Sequence, residues 1–156
     1  MSRARALAPF VAALSFLLTS GLSLGETESF TVIVHPSNPA GPMSRAEVSD
    51  LFLRRATQWD SGPRVRPVNL LPRSPLRQAF SQAIHRKSLA GERAYWQRQI
   101  FTGRGVPPLE VTTEDDVLDY VAANPGAVGY VSRGKLDSRV RELEIRDIEL
   151  GAGGSP

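Results

Sequence analysis

The order of apolar and polar positions divides the chain into strand-like and helix-like segments that alternate. Compact apolar runs rich in β-branched residues predict strands at residues 30–34, 65–70 and 127–131. A further terminal strand is predicted at residues 140–145. The first run is bounded on both sides by polar or turn-forming residues, and we expect it to lie near the centre of a sheet.

Four helices are predicted, and three of them combine apolar residues at helical spacing with a start signal. The first begins at a capping box headed by Ser44, and the second follows the N-cap residue Ser74. The third covers residues 92–100, and the fourth begins at Thr113. The side chains predicted to face the core are Val48, Leu51, Phe52, Leu76, Phe80, Ile84, Val117, Leu118 and Val121. Strands that alternate with helices indicate an α/β fold with a mixed sheet flanked by helices.

The first 25 residues have the pattern of a cleavable secretory signal peptide. Arg3 and Arg5 form a basic start, an apolar run follows over residues 6–18, and Ser23 and Gly25 fit the −3 and −1 positions of a cleavage site. We therefore predict export to the periplasm.

An uncleaved membrane anchor is the alternative, because residues 6–24 carry no charge and are nearly long enough to span a bilayer. Cleavage after residue 25 leaves an α/β domain at residues 26–150 and a tail at 151–156 that we expect to be disordered. The remaining 131 residues are enough for one domain with a single core.

Charge is almost balanced in the exported chain but unevenly distributed along it. Residues 54–104 contain eleven Arg or Lys and two acidic residues, whereas five basic and ten acidic residues follow from position 105. This asymmetry indicates either a solvated face on arginine-rich helices or a positive surface for an anion or an acidic partner. Nucleic acid is not expected as a partner, because motifs that stack aromatic side chains on bases are missing.

One stretch has the features of a small-anion site. A predicted strand ends at Leu70, and Ser74 then caps a helix that has Pro75 at its first position. Arg73 and Arg77 flank this helix start, where free N–H groups and the helix dipole already favour negative charge. Guanidinium groups bind phosphate or carboxylate through two parallel hydrogen bonds, so these two arginines are the best anion candidates. Their alternative role is structural, as an exposed helical arginine and a turn residue paired with an acid.

A second group of candidates follows the first predicted strand. His35, Ser37 and Asn38 share a loop at the rim of the sheet, where open α/β sheets usually bind ligands, although turn formation explains them equally. His85 stands beside arginine and lysine and is expected to be solvated. Two distant histidines without cysteines make a poor metal site, and we predict neither metal nor cofactor. Catalytic motifs are also missing from the sequence, so we predict a protein that is not an enzyme.

Six segments occur in an order that is typical of one family. They are residues 50–52, 59–62, 73–74, 80, 95–103 and 125–131. With these motifs, the chain resembles the phosphate-binding proteins of ABC transporters, in a reduced, single-lobe form with the periplasmic-binding-protein-like fold. The last segment, in which Pro-Gly leads into a Gly-Tyr-Val strand, is the most specific.

The resemblance implies a solute-binding lobe that works with phosphate and with an ABC permease. In the full-length family the anion lies between two lobes, and an arginine with a Ser-Gly-Thr turn at a helix N-terminus forms half of its shell. Arg73 and Ser74 fall on the matching turn, but Pro75 and Leu76 stand where glycine and threonine are expected. We therefore expect weak binding or a site that a partner completes.

Three hypotheses follow for the function. The first is weak binding of phosphate or another small anion at the strand-turn-helix site. The second is a non-catalytic interaction or adaptor module that keeps the lobe fold and contacts a periplasmic or membrane protein through the arginine-rich face over residues 54–104. The third is a homodimer that rebuilds a two-lobed cleft from two copies.

Overall fold

The structure, a computed structural model, describes residues 29–147, so the predicted signal peptide at 1–25 and the predicted tail at 151–156 lie outside the described residues. Its elements are β1 (Phe30–Val34), α1 (Arg45–Phe52), β2 (Arg66–Leu70), α2 (Pro75–Phe80), a π-helical turn (Ser81–His85), α3 (Leu89–Phe101), β3 (Leu109–Val111), α4 (Glu114–Ala123), β4 (Ala127–Ser132), a 3-10 turn (Arg133–Lys135) and β5 (Arg141–Glu142). The predicted α/β fold is confirmed. No helix within residues 29–147 combines the length and the apolar character needed to cross a membrane.

The sheet is mixed and has the strand order β3-β2-β4-β1-β5. β2 runs parallel to β3 and β4, whereas β1 runs antiparallel to β4 and β5. All five residues of β1 are buried, as are the first five of β4, because helices cover both faces of this part of the sheet. β1 was expected near the centre of the sheet; it is an interior strand between β4 and the edge strand β5, and β4 is the central strand.

The core is built around aromatic rings from both layers. Phe80 of α2 stacks on Tyr130 of β4 with ring centroids 3.9 Å apart and nearly parallel planes. Phe52 and Phe30 pack against the same pair at centroid distances of 4.7 and 5.3 Å from Phe80. The Tyr130 hydroxyl accepts a hydrogen bond from the Leu70 N–H at 3.2 Å, so its polar end is satisfied in the interior.

The helix starts follow the local signals in the sequence. Ser44 and Glu47 form a complete capping box at α1, and Thr113 and Asp116 form another at α4. Ser74 caps α2 as predicted. Each cap satisfies an N–H group that the first turn of a helix leaves without an intrahelical partner.

Three features differ from the sequence prediction. The terminal strand is only two residues long, Arg141–Glu142, instead of covering 140–145. The short strand Leu109–Val111 was not predicted, because it has only three residues, two of them exposed, and directly follows a Gly- and Pro-rich loop. The second helix changes to π geometry at Ser81 and ends at Arg86, whose φ of 52° is left-handed.

His85 is buried, which makes the expectation of a solvated side chain wrong. Its exposed fraction is 7%, and its Nδ1 is hydrogen-bonded to Ser49 Oγ at 2.8 Å. The π-helical turn changes the phase of the helix and places this histidine against Phe52 and Phe80. Burial, assisted by the positive charge of Arg77, lowers its pKa from 6.5 to about 3.

We predict that the buried His85 makes the fold sensitive to mild acid. The unfolded chain takes up a proton on this histidine below pH 6.5, whereas the folded chain keeps it neutral down to about pH 3. The free energy of unfolding therefore keeps its full value above pH 6.5 as far as His85 is concerned. It falls as the pH decreases, by about 2 kcal/mol between pH 7 and pH 5. Urea unfolding at both pH values measures this loss.

The matched variants are His85→Gln and His35→Gln. In His85→Gln the free energy of unfolding should no longer show the fall between pH 7 and pH 5 that the buried histidine causes. In His35→Gln that fall should remain. Equal pH dependence of the native protein and His85→Gln would contradict the assignment.

Candidate functional site

The predicted strand-turn-helix site forms as a tight turn at the end of β2. The Ser74 N–H donates to the Leu71 carbonyl at 3.0 Å, and Ser74 Oγ accepts from the Arg77 N–H at 3.4 Å. Arg73 is exposed, and within residues 29–147 its side chain has neither an ion pair nor a hydrogen bond. Because Ser74 Oγ already accepts one N–H and Pro75 has none, the helix start offers an anion few free donors.

Arg77 lies inside the protein and is already paired. It is 5% exposed, and its Nη2 is 2.6 Å from Glu92 Oε1. Its Nη1 donates to the Leu70 carbonyl at 3.0 Å and lies 3.7 Å from Glu110 Oε1. The other Glu92 oxygen accepts from Ser81 Oγ at 2.8 Å. The guanidinium predicted to bind an anion instead joins β2, the π-helical turn and α3.

The surroundings of Arg77 disfavour an added anion. A cavity of about 290 Å³ beside the turn is lined by Arg77 and Arg93, but also by Glu92 and Glu110. A phosphate placed here would meet two carboxylates within a short distance, and Arg77 would have to leave one of them. This placement does not support a ligand role for Arg77, so the anion prediction at this turn rests on Arg73 and Ser74.

His35, Ser37 and Asn38 form one compact turn, as the loop prediction requires. His35 Nδ1 is 2.7 Å from Ser37 Oγ and accepts from the Ser37 N–H at 3.1 Å. Asn38 is buried, and its Oδ1 accepts from the Ala40 N–H at 2.9 Å. Arg141 donates to the Asn38 carbonyl at 2.8 Å. Local hydrogen bonds therefore account for most of the polar groups in this loop.

The two groups of predicted site residues lie at opposite ends of the sheet. Because β1 is antiparallel to β4, its last residue Val34 pairs with Val128, next to the start of β2. Arg73 follows the other end of β2. The structure therefore does not bring His35, Ser37 and Asn38 together with Arg73 and Ser74. An all-parallel sheet would bring the two loops to one rim, but β1 runs in the opposite direction to β4.

Other groups that bear on chemistry are accounted for by the fold. Ser49 and His85 form the hydrogen-bonded pair closest to a nucleophile and its base, but both are buried and the pKa of His85 is about 3. Such an imidazole is neutral, inaccessible and a weak base. Within residues 29–147 there is also no cluster of three or more histidine or acidic side chains that could hold a metal ion.

The end of α3 exposes an apolar surface that the sequence analysis missed. Phe101 is 95% exposed, and Ile100 and Val106 are 54% and 59% exposed. Arg98 and Arg104 line an open groove together with Phe101, and no carboxylate lines it among the described residues. We call these five residues the α3 tip. The sequence does contain a signal for this surface. An Ile-Phe pair stands directly before Thr-Gly-Arg-Gly, where the helix must end, and no apolar residue follows at helical spacing.

The comparisons with known proteins identify the fold. A family model described as a PBP superfamily domain matches residues 27–150. No curated protein matches the sequence.

Three solved structures share the fold. An ABC-type phosphate transport receptor from Vibrio cholerae is 19% identical, with a TM-score of 0.60 over 74% of this chain and 45% of that one. A putative phosphate ABC transporter substrate-binding protein with bound phosphate from Clostridium perfringens is 18% identical, with a TM-score of 0.61 over 74% and 44%. PstS from Borrelia burgdorferi is 12% identical, with a TM-score of 0.60 over 76% and 47%. This chain thus spans less than half the length of each.

We predict that Arg77 has a structural role that substitution will expose. Arg77→Met should destabilise the fold by about 3–5 kcal/mol, because it leaves the buried Glu92 carboxylate without its cation. Arg73→Met, at the exposed arginine of the same turn, should change stability by no more than about 0.5 kcal/mol. Chemical denaturation measures both.

The double variant Arg77→Met with Glu92→Met is the decisive control. It removes both charges and should be more stable than Arg77→Met alone. A loss for Arg77→Met no larger than that for Arg73→Met would show that the ion pair contributes nothing to stability.

Proposed function

This chain belongs to the PBP superfamily. We propose that it works in the periplasm as a non-catalytic interaction module with a solute-binding fold. The α3 tip is its docking surface. The partner is a periplasmic or membrane protein, such as an ABC permease, that presents an apolar groove with an acidic rim. The single observation that carries this proposal is the almost complete exposure of Phe101 between two arginines, Arg98 and Arg104, that have no ion pair among the described residues.

A partner that covers an exposed phenylalanine lowers the free energy of the complex, because apolar surface is removed from water. Burial of a phenylalanine side chain contributes about 1.5–3 kcal/mol, and aromatic side chains are frequent among the residues that dominate protein interfaces. Ile100 and Val106, close to Phe101 in the sequence, are also exposed and add apolar area at the end of α3. The α3 tip therefore has the composition of the centre of an interface.

The charges of the α3 tip indicate the chemistry of the partner. Arg98 and Arg104 have no ion pair within residues 29–147, whereas four other arginines in this part of the chain do. A surface with an apolar centre and two arginines at its edge complements an apolar groove with carboxylates around it. Such a partner would bind more weakly at high salt concentration.

We predict that Phe101 contacts this partner directly. A photo-crosslinking phenylalanine analogue at position 101, expressed in the native host, should give one reproducible protein adduct, whereas the same analogue at Leu136, an exposed apolar position outside the α3 tip, should not. With the identified partner, Phe101→Ser should weaken binding about thirtyfold, since an aromatic residue at the centre of an interface contributes about 2 kcal/mol.

Two kinds of control accompany this experiment: the stability of the variants, and tests for a second copy of the chain or a lipid surface at the α3 tip. Phe101→Ser should leave the free energy of unfolding within about 0.5 kcal/mol, because the side chain makes few contacts in the folded chain. Leu136→Ser is the matched variant and should keep full binding. Adducts only between two copies of this chain would favour the homodimer instead, and binding to lipid vesicles without any protein adduct would refute a protein partner.

Weak binding of phosphate or another small anion at the turn is the second candidate function. The observation in its favour is that Arg73 is exposed and unpaired among the described residues, beside the cap Ser74. A solved structure with the same fold carries phosphate. One guanidinium and few free N–H donors limit the affinity, so binding near the millimolar range is the most that this turn supports.

We predict that calorimetric titration of the exported chain with phosphate gives a dissociation constant of about 1 mM or weaker at this turn. Arg73→Met should abolish that heat and leave stability unchanged. The absence of heat at millimolar phosphate would refute this candidate, and equal binding by Arg73→Met would place the anion elsewhere on the protein. Sedimentation with and without phosphate tests whether two copies assemble around it.

A further inference from the structure

We propose that a separate anion site lies at the end of the sheet where β2 begins, in a cleft that takes a phosphate-type anion with two or more negative charges. The cleft has a volume of about 310 Å³, and Arg54, Arg64 and Arg66 line it. It lies at the opposite end of β2 from Arg73. This inference does not depend on the α3 tip or on its partner.

The positive charge in this cleft has no acidic counterpart among the residues that the structure describes. Within that range the lining includes three arginines and no acidic residue. In the part of the chain that the structure describes, the side chains of Arg54, Arg64 and Arg66 have neither an ion pair nor a hydrogen bond. Three like charges around one cleft repel one another, and a multivalent oxyanion relieves this repulsion while it accepts their N–H donors.

The backbone holds two of these arginines on a well-defined scaffold. The Arg66 N–H donates to the Gly126 carbonyl at 2.9 Å, and Arg64 pairs with Gln58 in an isolated bridge. Gly126 has no side chain, and a Cβ there would lie 2.0 Å from the Arg64 carbonyl oxygen. The start of β4 therefore packs directly against the segment that carries Arg64 and Arg66.

Arg54 enters the cleft from the end of α1 in an unfavourable backbone conformation. Its φ is 54°, in the left-handed region just after the C-cap Leu53, where glycine is the favoured residue. The only other non-glycine residue with positive φ in the described range is Arg86, outside the cleft. These two arginines are therefore matched in residue type and backbone, and they differ in whether they line the cleft.

Two hydroxyl groups complete the set of donors. Thr57 and Tyr120 line the cleft, and neither hydroxyl has a hydrogen-bond partner within residues 29–147. The rest of the lining is largely apolar, with Leu51, Val65 and Leu109 among it. The anion can therefore be free or carry a small organic group, because the shared requirement is the phosphate-type head.

Calorimetric titration with pyrophosphate at constant ionic strength tests the site. Arg54→Gly removes one guanidinium and supplies the residue that the backbone prefers, so it should weaken binding about tenfold while the thermal midpoint stays the same or rises. Arg86→Gly should affect the midpoint in the same direction and leave binding unchanged. Arg64→Gln and Arg66→Gln should each weaken binding about tenfold.

Two further measurements distinguish this site from the turn at Arg73 and identify the source of the anion. Arg73→Met should bind pyrophosphate as the native protein does, so failure of the turn site leaves this inference intact. Binding to free pyrophosphate but not to vesicles that contain phosphatidic acid, whose phosphomonoester headgroup can carry two charges, would indicate a soluble anion. The reverse would indicate a lipid headgroup, provided that Arg54→Gly weakens the binding. The inference is overturned if neither probe binds, or if Arg54→Gly and Arg86→Gly bind equally.

Discussion

The buried pairing of Arg77 with Glu92 is the interaction on which the arrangement around β2 depends. Through Arg77 it connects α2 with the end of β2, and through Glu92 it connects α3 with the π-helical turn. Neither charge could remain in this interior without the other. The pair therefore fixes where α3 lies against the sheet, and with it the position of the α3 tip. It also removes from the surface one of the two arginines that the sequence favours as anion ligands.

The local features of this fold were predictable from the sequence, and the long-range ones were not. Ser44 and Thr113 identify helix starts because a cap involves residues only three positions apart. The role of Arg77 depends on Glu92, fifteen residues later, and no pattern within the helix identifies that partner. His85 looked exposed because its neighbours in sequence are charged, while a π-helical turn rotates it inward.

The direction of β1 decides how the candidate surfaces are distributed. In an all-parallel sheet the loops after the strands share one edge and converge on one ligand. Here β1 is antiparallel, so the loop with His35, Ser37 and Asn38 lies at the same end as the start of β2. The polar groups of this lobe are thus divided between its two ends. This explains why residue types that suggest one site from the sequence belong to different surfaces in the fold.

The same strand pairing constrains the order in which the chain can acquire its structure. Phe30 pairs with Ser132, so the five buried residues of β1 find their neighbour only about a hundred residues after they emerge from the ribosome or a translocation pore. Contacts of such long sequence separation form late and slowly. Until β4 arrives, the segment Phe-Thr-Val-Ile-Val is an uncovered strand of the type that associates with other chains. This lobe therefore completes its core only when nearly all of the chain is available, which makes the interval before that point its most vulnerable stage.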